Sequence, residues 1–303
     1  MRVAVVALSV ALWLGVGFVV IAPGTAEGLW DRTRASHWLE CSSGEPGMPA
    51  WSPDGTRIAY GKPTRCGTSI GVLDLRTGKT RLVTRGTSDG LPDWSPDGRS
   101  LLYQDGTDER LVDLATGVSR VVISGIDEFG ARFSPHGRLI AYTHGYMGSP
   151  FDGGDSTTTV YVKNVRTGAV LRLLGHDVNG GTPTWSPDGS HIAVEGYDGL
   201  YIVERSGEDV RRAVRMSLST PSAPAWSKTG VIALVEDGSI YSYDVVTLRL
   251  TRLTPCSCGT QEDGVSWSPD ARRLVFSARY GIYVMSAMGA NKRRLVAYDA
   301  GQR

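Results

Sequence analysis

Short apolar runs of strand length recur along the chain. The first set is Ile58-Ala59-Tyr60, Leu101-Leu102-Tyr103, Ile140-Ala141-Tyr142, Ile192-Ala193-Val194, Ile232-Ala233-Leu234 and Leu274-Val275-Phe276. Helical periodicity of 3.6 residues is absent from them. Each is followed by a second run, such as Val160-Tyr161-Val162 or Ile282-Tyr283-Val284. A Gly-centred turn comes next, and then a last run ending like Arg81-Leu82-Val83 or Arg294-Leu295-Val296. Counting the stretch before the first run, which ends on an aromatic residue, every unit supplies four strands, A to D.

A short motif punctuates the units. It reads Trp51-Ser52-Pro53-Asp54-Gly55, Trp94-Ser95-Pro96-Asp97-Gly98, Phe133-Ser134-Pro135-His136-Gly137, Trp185-Ser186-Pro187-Asp188-Gly189, Trp226-Ser227-Lys228-Thr229-Gly230 and Trp267-Ser268-Pro269-Asp270-Ala271. Successive serines are 43, 39, 52, 41 and 41 residues apart. A period near 40 built of strands predicts the blades of a β-propeller. Ser-Pro-Asp-Gly reads as a type I turn with Pro at i+1 and Gly at i+3, so strand A turns directly into B. The predicted fold is all-β: six blades, each a four-stranded antiparallel sheet. Residues 1–26 are set aside as a leader, 27–44 connect, and 45–303 form the propeller.

These residues resemble the WD40-like repeats in the propeller domain of the TolB family, whose unit is W-S-P-D-G followed by an apolar strand. The resemblance spans about residues 45 to 297 and departs from the pattern at His136, Lys228, Thr229 and Ala271. It implies a propeller and says little about activity, because propellers host unrelated functions.

Composition refines this picture. The 303 residues are 41% hydrophobic and 21% charged, which excludes a disordered chain and a polytopic membrane protein. Lys and Arg total 32 against 31 acidic residues, so the net charge of +1 implies no field that would gather nucleic acid or anionic lipid. From Val3 to Ala22 the chain is apolar, and small residues follow at Gly24-Thr25-Ala26. This reads either as an export signal cleaved near Ala26 or as a retained N-terminal anchor. Both place the rest of the chain outside the cytoplasm, in the periplasm, secreted or anchored, with the membrane met only through that segment.

Antiparallel order puts the A–B and C–D turns on one face of the ring and the B–C loops and D–A connections on the other. From motif Ser to C–D turn the lean blades 4, 5 and 6 need 21, 20 and 21 residues, whereas blades 1, 2 and 3 need 26, 22 and 34. All the surplus is expected between strands B and C. Insertions clustered on one face mark a binding face. The longest insert, in blade 3, carries Tyr146, Met147 and Phe151, either for recognition or folded over its own blade, together with Asp152 and Asp155. Two carboxylates fall short of a calcium shell. Just before each motif aromatic stand Ala50, Asp93, Arg132, Thr184, Ala225 and Ser266, expected along the central channel. Asp93 and Arg132, in adjacent blades, are expected to form a structural ion pair or to contact a ligand.

Other candidate chemistry has the wrong context. Gly67-Thr68-Ser69-Ile70-Gly71 matches the G-x-S-x-G nucleophile elbow, but no helix or hydrolase domain accompanies it. The five histidines show no metal-ligand spacing, and no catalytic residue, metal or cofactor is named. In an exported chain Cys41, Cys66, Cys256 and Cys258 read as two disulfides, with three connectivities open. Cys41–Cys66 with Cys256–Cys258 needs the least travel, and a bridge from Cys41 to Cys256 or Cys258 is the rival. The expectation is an exported, non-enzymatic, monomeric propeller that recognises a protein, peptide or glycan of the cell envelope on its B–C and D–A face. The alternative is a propeller lyase or hydrolase acting on an envelope polysaccharide or peptide.

Overall fold

The computed structural model describes residues 47–125, 127–146, 157–174, 178, 180–216, 223–255, 262–278 and 281–297, which form 24 strands and no helix. Blade 1 comprises β1 (Gly47–Trp51), β2 (Arg57–Thr64), β3 (Gly67–Asp74) and β4 (Thr80–Leu82). Blade 2 comprises β5 (Asp89–Trp94), β6 (Ser100–Asp105), β7 (Asp108–Asp113) and β8 (Ser119–Ser124). Blade 3 comprises β9 (Glu128–Phe133), β10 (Leu139–Tyr146), β11 (Thr157–Asn164) and β12 (Val170–Arg172). Blade 4 comprises β13 (Thr184–Trp185), β14 (His191–Gly196), β15 (Gly199–Glu204) and β16 (Val210–Arg215). Blade 5 comprises β17 (Ala225–Trp226), β18 (Val231–Glu236), β19 (Ser239–Asp244) and β20 (Arg249–Arg252). Blade 6 comprises β21 (Glu262–Trp267), β22 (Arg273–Ala278), β23 (Gly281–Ser286) and β24 (Arg293–Ala297). Every sheet is antiparallel and runs in sequence order from the inner strand outward. The expected six-bladed propeller is the observed fold.

The motif works through local hydrogen bonding. In blade 1 the Ser52 hydroxyl accepts the Arg57 N–H at 2.9 Å and donates to Asp54 Oδ1 at 2.5 Å, and the Gly55 N–H closes the turn on Ser52 O at 2.9 Å. The same Ser–Asp pair recurs at Ser95–Asp97, Ser186–Asp188 and Ser268–Asp270. In each of these three the serine hydroxyl, followed by a backbone N–H, holds the aspartate below its ordinary pKa. In blade 5 the Thr229 hydroxyl takes the carboxylate's place, 3.0 Å from Ser227 Oγ. In blade 6 Ala271 occupies the glycine slot at φ 58°.

The core is divided into six clusters, each lying between two neighbouring blades. Trp51, Ile58, Tyr60 and Leu73 of blade 1 pack on Val275, Ile282 and Val284 of blade 6, so among the described residues the ring closes by side-chain packing with no shared strand. Gly55 lies against Pro269 across that closure as Gly98 lies against Pro53. Arg273 of blade 6 stacks 4.9 Å from the Trp51 ring, and Arg57 of blade 1 stacks 4.6 Å from that of Trp94.

The surplus length is distributed differently from expectation. Blade 1 has a two-residue B–C turn, like blades 2, 4 and 5; four of its five extra residues lengthen β2 and β3 to 8 residues each, and the fifth lies in its C–D turn, where the Gly78 N–H bonds Asp74 O. Blade 3 adds both 8-residue strands and a longer connection. Blade 2 carries its one extra residue in the C–D turn, not between B and C. There the Gly117 N–H bonds Asp113 O, four residues back, whereas in blade 4 the Gly207 N–H bonds Glu204 O, three back.

Candidate functional site

The inner strands divide into two kinds. Those of blades 1, 2, 3 and 6 are 5 or 6 residues long, and each has a register shift against its strand B. Three residues before the aromatic, these four hold a left-handed backbone at Met48, Leu91, Gly130 and Gly264. Such bulges bend a strand and re-aim the side chains that follow. In blades 4 and 5 the inner strand is 2 residues long.

Around the axis these strands enclose a space of about 150 Å³, lined by Asp93, Arg132, Thr184 and Ser266 on the polar side and by Ala50, Pro49, Pro92 and Pro224 among others. The expected positions therefore do reach the channel. They also stitch the ring. The residue before the aromatic offers its carbonyl to the next blade's indole: Trp94 Nε1 donates to Ala50 O, Trp185 Nε1 to Arg132 O and Trp267 Nε1 to Ala225 O, at 3.0–3.1 Å. In blades 6 and 2 its side chain also takes a backbone N–H. Ser266 Oγ accepts from Trp51 at 3.3 Å and Asp93 Oδ2 from Phe133 at 2.8 Å.

Asp93 and Arg132 are neighbours, as expected, but they form no ion pair among the described residues. The reason is competition from the backbone. Asp93 holds the Phe133 N–H, while Arg132 Nη1 donates to Ala131 O at 3.0 Å and Leu91 O at 3.3 Å. Asp93 keeps part of its surface on the channel, yet burial dominates and pushes its pKa up to about 6 against the pull of Arg132 and the Phe133 N–H.

A third charged group was missed. Glu109, on β7, is fully buried, and its Oε1 accepts the Ala131 N–H at 3.0 Å. Strand register places it opposite Gln104, where the other blades have Ile70 opposite Gly61, Val160 opposite Thr143, Leu200 opposite Glu195, Ile240 opposite Val235 and Ile282 opposite Ser277. Each of those aliphatics belongs to the core shared with the next blade. Glu109 thus replaces an aliphatic in the core between blades 2 and 3. Burial pushes its pKa up to about 7, opposed by the Ala131 N–H and Arg132, and Oε2 has no hydrogen-bond partner among the described residues. The signal available in the sequence was a carboxylate at the one position of strand C that is otherwise always aliphatic.

On the B–C side β10 and β11 stay paired from Leu139↔Asn164 out to Tyr146↔Thr157, two pairs beyond the six-residue hairpins. His144 projects there, its Nδ1 3.2 Å from Glu128 Oε1 and its ring edge-on to Tyr161 at 6.0 Å. Tyr146 ends β10. The candidates Met147, Phe151, Asp152 and Asp155 lie outside the described residues. Cys66 is exposed in the β2–β3 turn, and Cys41, Cys256 and Cys258 also lie outside the described residues. Ser69 of the G-x-S-x-G match sits within β3, buried, with its hydroxyl donating to Gly86 O at 2.8 Å. That is a strand residue with a structural hydrogen bond and not an elbow. Among the described residues no three of His, Cys, Asp and Glu are grouped to hold a metal ion.

No family model matches the chain. Among solved structures it is similar to a putative TolB from Agrobacterium tumefaciens, with TM-score 0.62 and 20% identity over 75% of this chain and 87% of that one. It is also similar to an oligogalacturonate lyase in complex with manganese, with TM-score 0.61 and 19% identity over 86% and 79%. A calcium-binding regucalcin from Agrobacterium tumefaciens gives TM-score 0.60 and 17% identity over 77% and 81%. Identities this low establish the propeller fold that the four chains share.

Proposed function

We propose that this protein is an exported binding module that recognises a protein, peptide or glycan of the cell envelope through the B–C and D–A face of its propeller. The observation that carries the reading is the blade 3 hairpin. Its two strands run past those of the lean blades, although blades 2, 4 and 5 make the same connection with two residues. Length beyond what a blade needs costs little in closure entropy, about 0.6 kcal/mol per doubling, and is cheap to keep for recognition.

The test compares the full chain with a variant in which Tyr146 through Asp155 become a short Gly-Ser link. Both are used to capture partners from envelope extract, with Lys79 and Arg166 on the C–D turns mutated as a control. The reading expects unchanged melting and loss of most of the captured partner in the loop variant alone. Loss in the control with a silent loop variant would reverse the face assignment. Turnover of an envelope polysaccharide or peptide by the purified protein would replace this reading with the enzymatic one.

A further inference from the structure

The net charge of +1 conceals a radial separation of charge. Each of the outer strands β4, β8, β12, β16, β20 and β24 carries arginine, and none carries Asp or Glu. The inner strands reverse this: Asp89, Asp93, Glu128, Glu262 and Asp263 lie on them, with Arg132 their one cation. The densest arc of the rim begins with Arg211, Arg212 and Arg215 on β16 and continues through Arg249 and Arg252 on β20 to β24, which adds Arg293 and Arg294; all are exposed. Of these, only Arg212 pairs with an acid, Asp198, among the described residues. Charge on an edge strand, cationic charge above all, blocks sheet-to-sheet aggregation, but that purpose gives no reason for exposed apolar side chains beside it.

A second feature coincides with this arc. Val246, Leu248 and Met288, on the C–D turns of blades 5 and 6, are 81%, 63% and 84% exposed. Leu250, 38% exposed, continues the stripe along β20. The blade 6 turn abuts the far end of that strand, since a Cβ on Gly289 would stand 2.3 Å from Leu253 O. Leu248 has φ 57° in the slot that Gly78, Gly117 and Gly168 fill in blades 1, 2 and 3. A leucine there strains the backbone and gains no burial, so neither turn geometry nor packing accounts for it.

We propose that the rim of blades 5 and 6, centred on β20, docks on an anionic lipid surface. Arg249, Arg293 and Arg294 meet headgroup phosphates, while Val246, Leu248 and Met288 enter the boundary with the acyl chains. The aliphatic tips decide between occupants, because a soluble acidic polymer offers them nothing apolar. The Val3–Ala22 run, of membrane-crossing length, is the means by which the sequence would hold the propeller near such a surface. This inference is independent of what the B–C face binds.

The experiment is amide hydrogen exchange on the full chain in phosphatidylcholine vesicles, with and without phosphatidylglycerol. Amides of 246–252 and 287–294 are expected to slow about tenfold only where the anionic lipid is present, and to lose that protection in high salt. Each Arg→Gln change at 249, 293 or 294 should weaken the effect about fivefold without altering the melting temperature. Leu248→Gly should lose protection while melting at or above the parent. Equal protection in neutral vesicles, no protection in anionic ones, or equal protection by soluble dextran sulfate without lipid would each overturn the proposal.

Discussion

The inner strands of blades 6, 1, 2 and 3 and those of blades 4 and 5 solve one problem in two ways. In the first group a bulge with a left-handed residue lengthens the strand and turns the next side chains to the channel, where Ser266 and Asp93 take a neighbouring backbone N–H. In the second the strand lasts 2 residues, and no bulge or left-handed residue precedes the aromatic within it. The repeat therefore sets blade architecture, while the polar character of the channel depends on irregularities superposed on it. Even within the bulged group the solutions differ. Gly130 has no room for a side chain, since a Cβ there would stand 2.5 Å from Thr182 Oγ1, yet Met48 and Leu91 carry side chains in the same backbone state.

The largest expected effect breaks the bulge. Gly130→Ala combines a left-handed alanine with a collision against buried Thr182, and should cost about 2–4 kcal/mol in denaturant unfolding. Leu91→Gly, at the matching place in blade 2, should cost less, because strain relief offsets the lost side chain. Equal losses would mean that the two bulges are not equivalent structures.

Next comes the buried charge. The pKa of Glu109, raised in the folded state to about 7, means that the unfolded chain gives up its proton first, so stability is fully present below the unfolded value near 4.5 and falls as pH rises toward 7. Asp93, raised to about 6, acts in the same direction. Glu109→Gln keeps an acceptor for the Ala131 N–H and removes the ionisation. It should gain about 2 kcal/mol over the parent at pH 7.5 relative to pH 5. Parallel stability profiles for parent and variant would show that Glu109 ionises as freely in the fold as outside it.

The smallest effect separates a bonded indole from an unbonded one, a difference that falls within both arcs, since Trp51 also lacks a partner among the described residues and Trp185 has one. Trp94→Phe loses the bond to Ala50 O and should cost about 1 kcal/mol more than Trp226→Phe, which removes an indole N–H that had no partner. Thermal melts of the two variants check this, and a larger loss at Trp226 would contradict the assigned indole contacts.

The repeat was readable because its hydrogen bonds are local: serine, aspartate and glycine meet within five residues, so their identities suffice to predict the turn and the strands on either side. The channel positions Asp93 and Arg132 were found by counting from the aromatic. That they would not form the expected ion pair was hidden, since which backbone groups compete for them depends on the bulges, and Met48 and Leu91 give no glycine to announce one. Glu109 needed strand register to be seen among aliphatics. The basic rim was masked because totals average over a radius, and the exposed leucine of blade 5 stands out only once its glycine counterparts are aligned.

Proline at the position two before the aromatic, as in Pro49, Pro92, Pro183 and Pro224, places residues without an N–H donor on the innermost edge of four blades. A visiting peptide cannot extend those sheets by main-chain pairing at these points. Anything that enters the axis must be read through carbonyls and side chains, which makes the grammar of this channel one of shape and functional groups and not of strand addition.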